Sequence, residues 1–363
     1  MNGFLFKMLP VAGLMVLLSA ASLAGVNQQA GIPNISGGTF ISCQNPVRVI
    51  SIVRRPDGTL VSQAGPSGIT WRHRLPPMHG EYDQYYVAPD GSAAVVALSR
   101  HVGNVYLVSG RRSPTILHGA IGAVDFQGGK VMVALADRSD GPLNVGLYRA
   151  DSGDQIANTA FMPPSWEDFQ YFTVRLSGDG SFYYYLDEMQ RLQLRDAVNG
   201  KPILLDAPLP GGIEDVLLRS RNHGYLITSG KLFAVAGGRL EEIATPLLTE
   251  GMHAEPALPL NLVESTDESI QAVNFHFGWG VRDIASGRWL AKGADGKVLS
   301  AGNGVATVLE SQEGRVRVFD LSGGSRVLRG VSVDIQGGQQ SVCVNAHGVM
   351  TYGKDGFVWR RFR

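Results

Sequence analysis

Apolar and polar residues alternate along most of the chain, and almost no window shows the 3.6-residue period of a helix. Residues 315–319 and 192–195 alternate strictly. Other runs, such as residues 93–98, 131–136 and 182–186, are apolar or aromatic throughout, which is typical of strands buried on both faces. The pattern therefore predicts an all-β protein built from many short strands.

Two kinds of turn separate these runs. The first kind joins an aspartate or serine to a following glycine, because Asp can hydrogen-bond nearby backbone and Gly adopts the left-handed conformation. It occurs at residues 109–110, 151–153, 196–200, 237–238, 283–287 and 320–323. The second kind contains a glycine at residues 89–91, 128–129, 178–180, 222–224, 303–304 and 346–348, and a weaker member lies at residues 265–269.

The second kind of turn recurs every 43 residues or so, which is about the length of a four-stranded propeller blade. We assign the first kind to the turn between strands one and two of a blade, and the second kind to the turn between strands three and four. The sequence thus predicts a β-propeller of about seven four-stranded blades, with six and eight as alternatives.

The numbers of the two turns predict how the ring closes. The second kind occurs seven times and the first kind six times, so the last blade is one strand short after residues 357–362. An unpaired strand edge is costly, and a terminal strand can fill it. We expect residues 47–53 to pair with residues 357–362, which makes residues 47–363 the propeller domain and residues 25–46 an N-terminal segment.

The N-terminus resembles a secretory signal peptide. Lys7 precedes an apolar run, and Ser22 and Ala24 suit a signal-peptidase site, so we expect residues 1–24 to be removed. The alternative is an uncleaved anchor over residues 8–26. The expected location is periplasmic or secreted, without a transmembrane segment in the mature chain.

The formal net charge is zero, which argues against nucleic acid as the main partner. No metalloprotease, nucleophile-elbow, phosphate-loop or calcium-loop motif is present, and no cofactor is predicted. His73, His79, Glu81 and Asp83 are close in sequence and could hold a metal, but their intervals match no standard zinc spacing. We therefore predict a polar surface loop and no metal site.

The turns resemble those of the WD40-like and YVTN-like repeat propellers of bacterial extracytoplasmic proteins. Residues 89–91 and the Asp-to-Gly hairpins carry the resemblance, which covers residues 47–363. The Trp-Asp dipeptide is absent, as is the Trp-bearing repeat of pyrroloquinoline-quinone propellers. The resemblance implies an architecture, because propellers host many activities.

Three connections between the predicted blades, at residues 71–82, 163–168 and 245–259, contain residue types common at interaction sites. Tryptophan and arginine are enriched at such sites, although aromatic side chains also pack between blades. The candidate binding residues are Trp71, Arg72, His73, His79, Glu81, Trp166, Glu167, Asp168, His253 and Glu255.

Two cysteines, Cys43 and Cys343, form an even pair that an oxidising compartment could convert to a disulfide. The alternative is a buried free thiol, because an outermost closing strand would lie about 14 Å from the innermost strand of the same blade.

The sequence favours a non-enzymatic scaffold that binds a protein, a cell-envelope component or another ligand through inter-blade loops. The alternative is a propeller-type hydrolase or lactonase, with a polar or metal site at the central channel. The strands predicted to line that channel are mostly apolar, which favours binding.

Overall fold

The computed structural model describes most of the chain from residue 38 onward. The described residues are 38–42, 48–65, 68–77, 84–98, 102–110, 112–137, 141–162, 174–204, 209–237, 239–248, 256–263, 265, 269–302, 304–309, 315–321, 326–327, 333–334, 341–345, 348–353 and 356–361.

Strands account for all the regular structure of the described residues, and they follow one another in antiparallel meanders. Unit 1 contains β1 Gly38–Ser42, β2 Arg48–Arg55, β3 Gly58–Gly65 and β4 Gly68–Leu75, and unit 2 contains β5 Gln84–Val87, β6 Ala93–Ala97, β7 Gly103–Ser109 and β8 Thr115–Gln127. Unit 3 adds β9 Lys130–Ala136, β10 Leu143–Arg149 and β11 Gln155–Phe161. Unit 4 contains β12 Arg175–Leu176, β13 Phe182–Leu186, β14 Leu192–Asp196 and β15 Pro202–Ile203.

Strand β8 is shared, since its first part pairs with β7 in unit 2 and its second part pairs with β9 in unit 3. Unit 5 contains β16 Ile213–Ser220, β17 His223–Thr228, β18 Lys231–Ala236 and β19 Arg239–Ile243, and unit 6 contains β20 Pro259–Val263, β21 Ile270–Phe275, β22 Gly278–Asp283 and β23 Trp289–Gly293. Unit 7 contains β24 Lys297–Gly302, β25 Val305–Leu309, β26 Arg315–Asp320, β27 Arg326–Val327 and β28 Val333–Asp334. Unit 8 contains β29 Ser341–Asn345, β30 Gly348–Gly353 and β31 Gly356–Arg361.

Apolar side chains pack between successive units rather than within one common core. Unit 1 packs on unit 2 through Ile52, Val61 and Trp71 against Tyr85 and Val96. Comparable clusters join each following pair up to units 6 and 7. Sheets that pack face to face in sequence order, with inter-unit contacts made by the first strands, form a β-propeller. The all-β prediction and the propeller prediction are therefore confirmed.

The turn assignment made from the sequence is wrong in its order. Residues 128–129 join β8 to β9, the first and second strands of unit 3, whereas residues 196–200 join β14 to β15, the third and fourth strands of unit 4. The second kind of turn therefore joins strands one and two. The first kind joins strands three and four.

The prediction that residues 47–53 complete the last blade is also wrong. Residues 48–53 lie in β2, which pairs with β1 on one side and with β3 on the other, so neither edge is open to β31. Residues 38–75 instead form a four-stranded unit of their own, which includes part of the segment assigned to residues 25–46. Unit 8 has three described strands, β29 to β31.

Candidate functional site

The meander places the loops of every unit at two opposite ends. The turns between strands two and three and the connections between units lie at one end, because successive strands are antiparallel. We call this end the loop face. The turns between strands one and two and between strands three and four lie at the other end, which we call the turn face. The strands that precede the three connections selected from the sequence, β4, β11 and β19, end at the loop face.

Of the ten candidate binding residues, three are described, and their environments differ. Trp71 is only 5% exposed and packs in the cluster between units 1 and 2. Nε2 of His73 lies 2.9 Å from the carbonyl oxygen of Gly110 in unit 2, which is an inter-unit hydrogen bond. Arg72, between them on β4, is exposed. The location of Trp71 favours packing between units over contact with a partner.

The other seven candidates, together with Asp83 and Cys43, lie outside the described residues. They are His79, Glu81, Trp166, Glu167, Asp168, His253 and Glu255. Cys343 lies in β29, the first strand of unit 8. The prediction that His73, His79, Glu81 and Asp83 form no metal site, and the choice between a disulfide and a free thiol for the two cysteines, are therefore not tested by the described residues.

A group of exposed apolar side chains occupies the loop face of units 5 and 6. Phe277, in the two-residue turn between β21 and β22, is 83% exposed, and Leu258 is 58% exposed. Leu260, two residues after Leu258, is also exposed, and so is Leu247, which forms an antiparallel bridge with Pro256. We call these four residues the apolar patch. Solvent exposure of several large apolar side chains at one place marks an interaction site more often than chance does.

Backbone hydrogen bonds hold the apolar patch in place. The N–H of His276 donates to the carbonyl oxygen of Leu258 over 3.0 Å, and the N–H of Ala257 donates to Pro246 over 3.1 Å. Nζ of Lys292 donates to the carbonyl oxygen of Leu247 over 2.9 Å. The patch is therefore presented on backbone that contacts the strands of unit 6, which lowers the entropy cost of binding.

The turn at Phe277 depends on Gly278. Gly278 has a φ of +140°, and a Cβ at this position would collide with the carbonyl oxygen of Gly293 on β23. A glycine is required here for both reasons, because other residues rarely adopt this φ and none fits the space.

Polar side chains on the first strands bridge to the backbone of the next unit. Oδ2 of Asp125 accepts a 2.7 Å hydrogen bond from the N–H of Leu176, and its Oδ1 accepts one from Phe126. Asp215 repeats this arrangement with Leu262 and Val216. Both carboxylates therefore accept backbone hydrogen bonds on both oxygens, which fixes their position between neighbouring units.

Arg175 connects these two carboxylates through unit 4. Its Nη1 donates to the carbonyl oxygen of Val216 over 2.9 Å and lies 3.5 Å from Oδ1 of Asp215. Burial raises the pKa of Asp125 to about 6, and the hydrogen bonds from Leu176 and Phe126, together with the charge of Arg175, oppose this rise. These groups join units 3, 4, 5 and 6, which is a structural role.

Sequence reasoning selected the connection at residues 245–259 but missed the residues of it that are exposed. It emphasised charged and aromatic residues, whereas the described part presents Leu247 and Leu258. Phe277 lies in a turn outside that connection, so only the pairing of β21 with β22 reveals its position.

Comparison with known proteins gives structural likeness only. No protein-family model matches the chain, and no curated protein resembles it in sequence. It is similar to the computationally designed Ika8 protein, with a TM-score of 0.53 and 14% identity over 92% of this chain and 100% of that chain.

Two natural structures show weaker likeness. BamB from Moraxella catarrhalis has a TM-score of 0.47 at 14% identity, over 89% of this chain and 96% of that chain. The β-propeller domain of Cps50 (Swd1) from Myceliophteria thermophila has a TM-score of 0.41 at 12% identity, over 79% and 98%. Identities this low concern the fold alone, so the function has to be inferred from the chain's own residues.

Proposed function

We propose that the protein is a non-enzymatic scaffold that binds another protein through the apolar patch on the loop face of units 5 and 6. The observation that carries the proposal is the exposure of Phe277 and Leu258 on hydrogen-bonded backbone. Large apolar side chains in such positions lower the free energy when a complementary apolar surface covers them. A partner protein with apolar side chains provides such a surface.

The polar groups of the first strands support binding over the hydrolase alternative. A propeller hydrolase needs several carboxylates or imidazoles that converge on the channel. Asp125 and Asp215 instead accept backbone hydrogen bonds that join one unit to the next.

The proposed setting is the periplasm or the exterior, as the pattern of residues 1–24 predicts. No helix of membrane-spanning length and hydropathy occurs in the part of the chain that the structure describes. The intact mass of the exported protein tests this setting, because retention of residues 1–24 would favour an anchor.

The proposed ring has eight units and closes between units 1 and 8. Strand β1 contacts β29, which brings the first strands of the two terminal units together. Deletion of residues 38–75 should then lower the melting temperature of the whole protein in one cooperative transition. An unchanged melting temperature would contradict closure through unit 1.

The binding function is tested by a photo-cross-linking amino acid at position 277 in cells that export the protein. Position 198 is the matched control, because Val198 is also exposed but lies in a strand-three-to-four turn on the turn face. We expect one protein to be cross-linked through position 277 and not through position 198. Equal cross-linking at both positions, or none at 277, would contradict the proposal.

A further inference from the structure

Positive charge is concentrated in the two units that contain the ends of the described chain. Residues 38–75 contain five arginines and one aspartate, and residues 341–363 contain four basic residues and one acidic residue. Residues 76–340 contain 22 basic and 30 acidic residues. Strands β1 and β29 contact each other, so units 1 and 8 are neighbours. These two units therefore form a basic sector in a chain whose net charge is zero.

The two faces of the unit 1 sheet differ in character. Strand register places Ile52, Val61 and Trp71 on the face that packs against unit 2. The opposite face carries Arg55, Val53 and Ser51 from β2, Leu60 and Ser62 from β3, and Arg72 and Arg74 from β4. This second face is directed away from unit 2, and we call it the arginine face.

The arginine face is open to solvent. Val53 is 43% exposed, whereas Ile52 next to it on β2 is 3% exposed on the other face. Arg55, Arg72 and Arg74 are exposed, and Leu60 and Ser62 are half-buried. The arginines therefore surround two partly accessible apolar side chains.

Among the described residues, Asp57 is the acidic group that pairs with an arginine of the arginine face. Nη1 of Arg74 lies 3.0 Å from Oδ2 of Asp57. Both side chains are more than half exposed, so this ion pair is weak. Arg55 and Arg72 form no ion pair with any residue that the structure describes. Unsatisfied guanidinium groups at fixed positions on a sheet suit bidentate binding of carboxylates.

We propose that the arginine face binds an acidic segment of a partner protein. The chain's own residues 25–37 contain no charged residue, so they offer nothing to neutralise the arginines. Guanidinium groups at fixed positions on one sheet face match carboxylates spaced along a polypeptide, and a lipid surface is the alternative that the experiment distinguishes. An extended acidic segment with apolar side chains matches both the arginines and Val53.

This surface belongs to a different unit from the apolar patch, so each can fail without the other. The test uses the full exported protein and a fluorescently labelled oligo-glutamate peptide, with binding followed by anisotropy. The test variant is Arg55→Gln/Arg72→Gln, with Arg72→Gln as a single change. The matched control is Arg239→Gln/Arg288→Gln, which removes the same charge from two exposed arginines in units 5 and 6.

We expect the wild-type protein to bind the peptide with an affinity that falls as salt rises. The test variant should weaken binding by about tenfold or more, and the control by about twofold or less. Equal losses in both variants would reduce the effect to net charge and overturn the proposal. Absence of peptide binding would overturn it as well, and so would binding of phosphatidylglycerol vesicles through the same arginines without binding of the peptide.

Discussion

The carboxylate of Asp215 accepts a 2.7 Å hydrogen bond from the backbone N–H of Leu262, which lies on the first strand of the next unit. The first strand of a propeller unit has no strand partner on its inner edge, so its buried N–H groups need other acceptors. Asp125 provides the same acceptor for Leu176, between units 3 and 4. Side chains of the first strands thus replace part of the missing sheet hydrogen bonding.

Asp215→Ala should destabilise the protein by about 2–4 kcal/mol, because it leaves the N–H groups of Leu262 and Val216 without their acceptor and Arg175 without its nearby carboxylate. Denaturant unfolding at neutral pH measures this loss. Glu188→Ala is the control, since Glu188 is exposed, and it should change stability by about 0.5 kcal/mol or less. Similar effects of the two changes would show that the bridge is unimportant.

Asp125 should make stability depend on pH between about pH 4 and pH 6. Burial raises the pKa of Asp125 from 3.8 to about 6, so the folded protein holds this proton more tightly than the unfolded chain. Its contribution is greatest below the unfolded pKa and is lost as pH rises through about 6. Asp125→Asn removes this titration. The variant should therefore gain stability relative to wild type as pH rises over that range, by on the order of 1–3 kcal/mol.

The unfolding free energies of wild type and Asp125→Asn are to be compared at several pH values, because other carboxyl groups titrate in the opposite sense. Interactions with Arg191 and Gln193 lower the pKa of Asp187 against the opposing effect of burial, so its stabilisation is lost as pH falls. The difference between wild type and variant cancels that contribution. A difference that stays constant from pH 4 to pH 7 would contradict the burial of Asp125.

Trp71→Ala should cost about 3–5 kcal/mol, because Trp71 is buried between units 1 and 2. Arg72→Ala, one residue further along β4 on the exposed face, should cost well under 1 kcal/mol. Thermal unfolding of the two variants compares the faces of one strand. A small loss for Trp71→Ala would return Trp71 to the candidate binding residues.

Gly278→Ala should destabilise the protein by about 1–3 kcal/mol, because its φ is +140° and its Cβ would collide with backbone of Gly293. Gly211→Ala is the matched control, since no atom lies within 4 Å of the position that its Cβ would take. The control should change stability by about 0.5 kcal/mol or less. Equal melting temperatures for the two variants would contradict the geometry of the Phe277 turn.

Much of the fold is predictable from the sequence, because the hairpin turns use Asp and Gly at fixed offsets. Gly153, Gly200 and Gly287 all have positive φ and close such turns. The search for repeated turns missed unit 1, because the segment between β1 and β2, residues 43–47, contains no glycine. Its strands therefore did not register as a repeat, and one of them was assigned to the last unit.

The candidate site was less predictable, for physical reasons. Trp71 and Arg72 are neighbours in sequence but point to opposite faces of β4, and only the register shows which face is buried. Exposure of Phe277 depends on a two-residue turn that sequence alone does not separate from a buried aromatic position. Asp125 and Asp215 did leave a signal, since each is an acidic residue on a first strand directly before an apolar residue, Phe126 or Val216.

The central claim is that the apolar patch binds a protein partner, and affinity measures it most directly. The partner cross-linked through position 277 is purified and titrated into wild type, Leu258→Ser/Phe277→Ser and Val198→Ser by calorimetry. We expect the double variant to bind at least about tenfold more weakly, a loss of about 1.4 kcal/mol, and Val198→Ser to bind as wild type does. Equal affinity of the double variant and wild type would contradict the account.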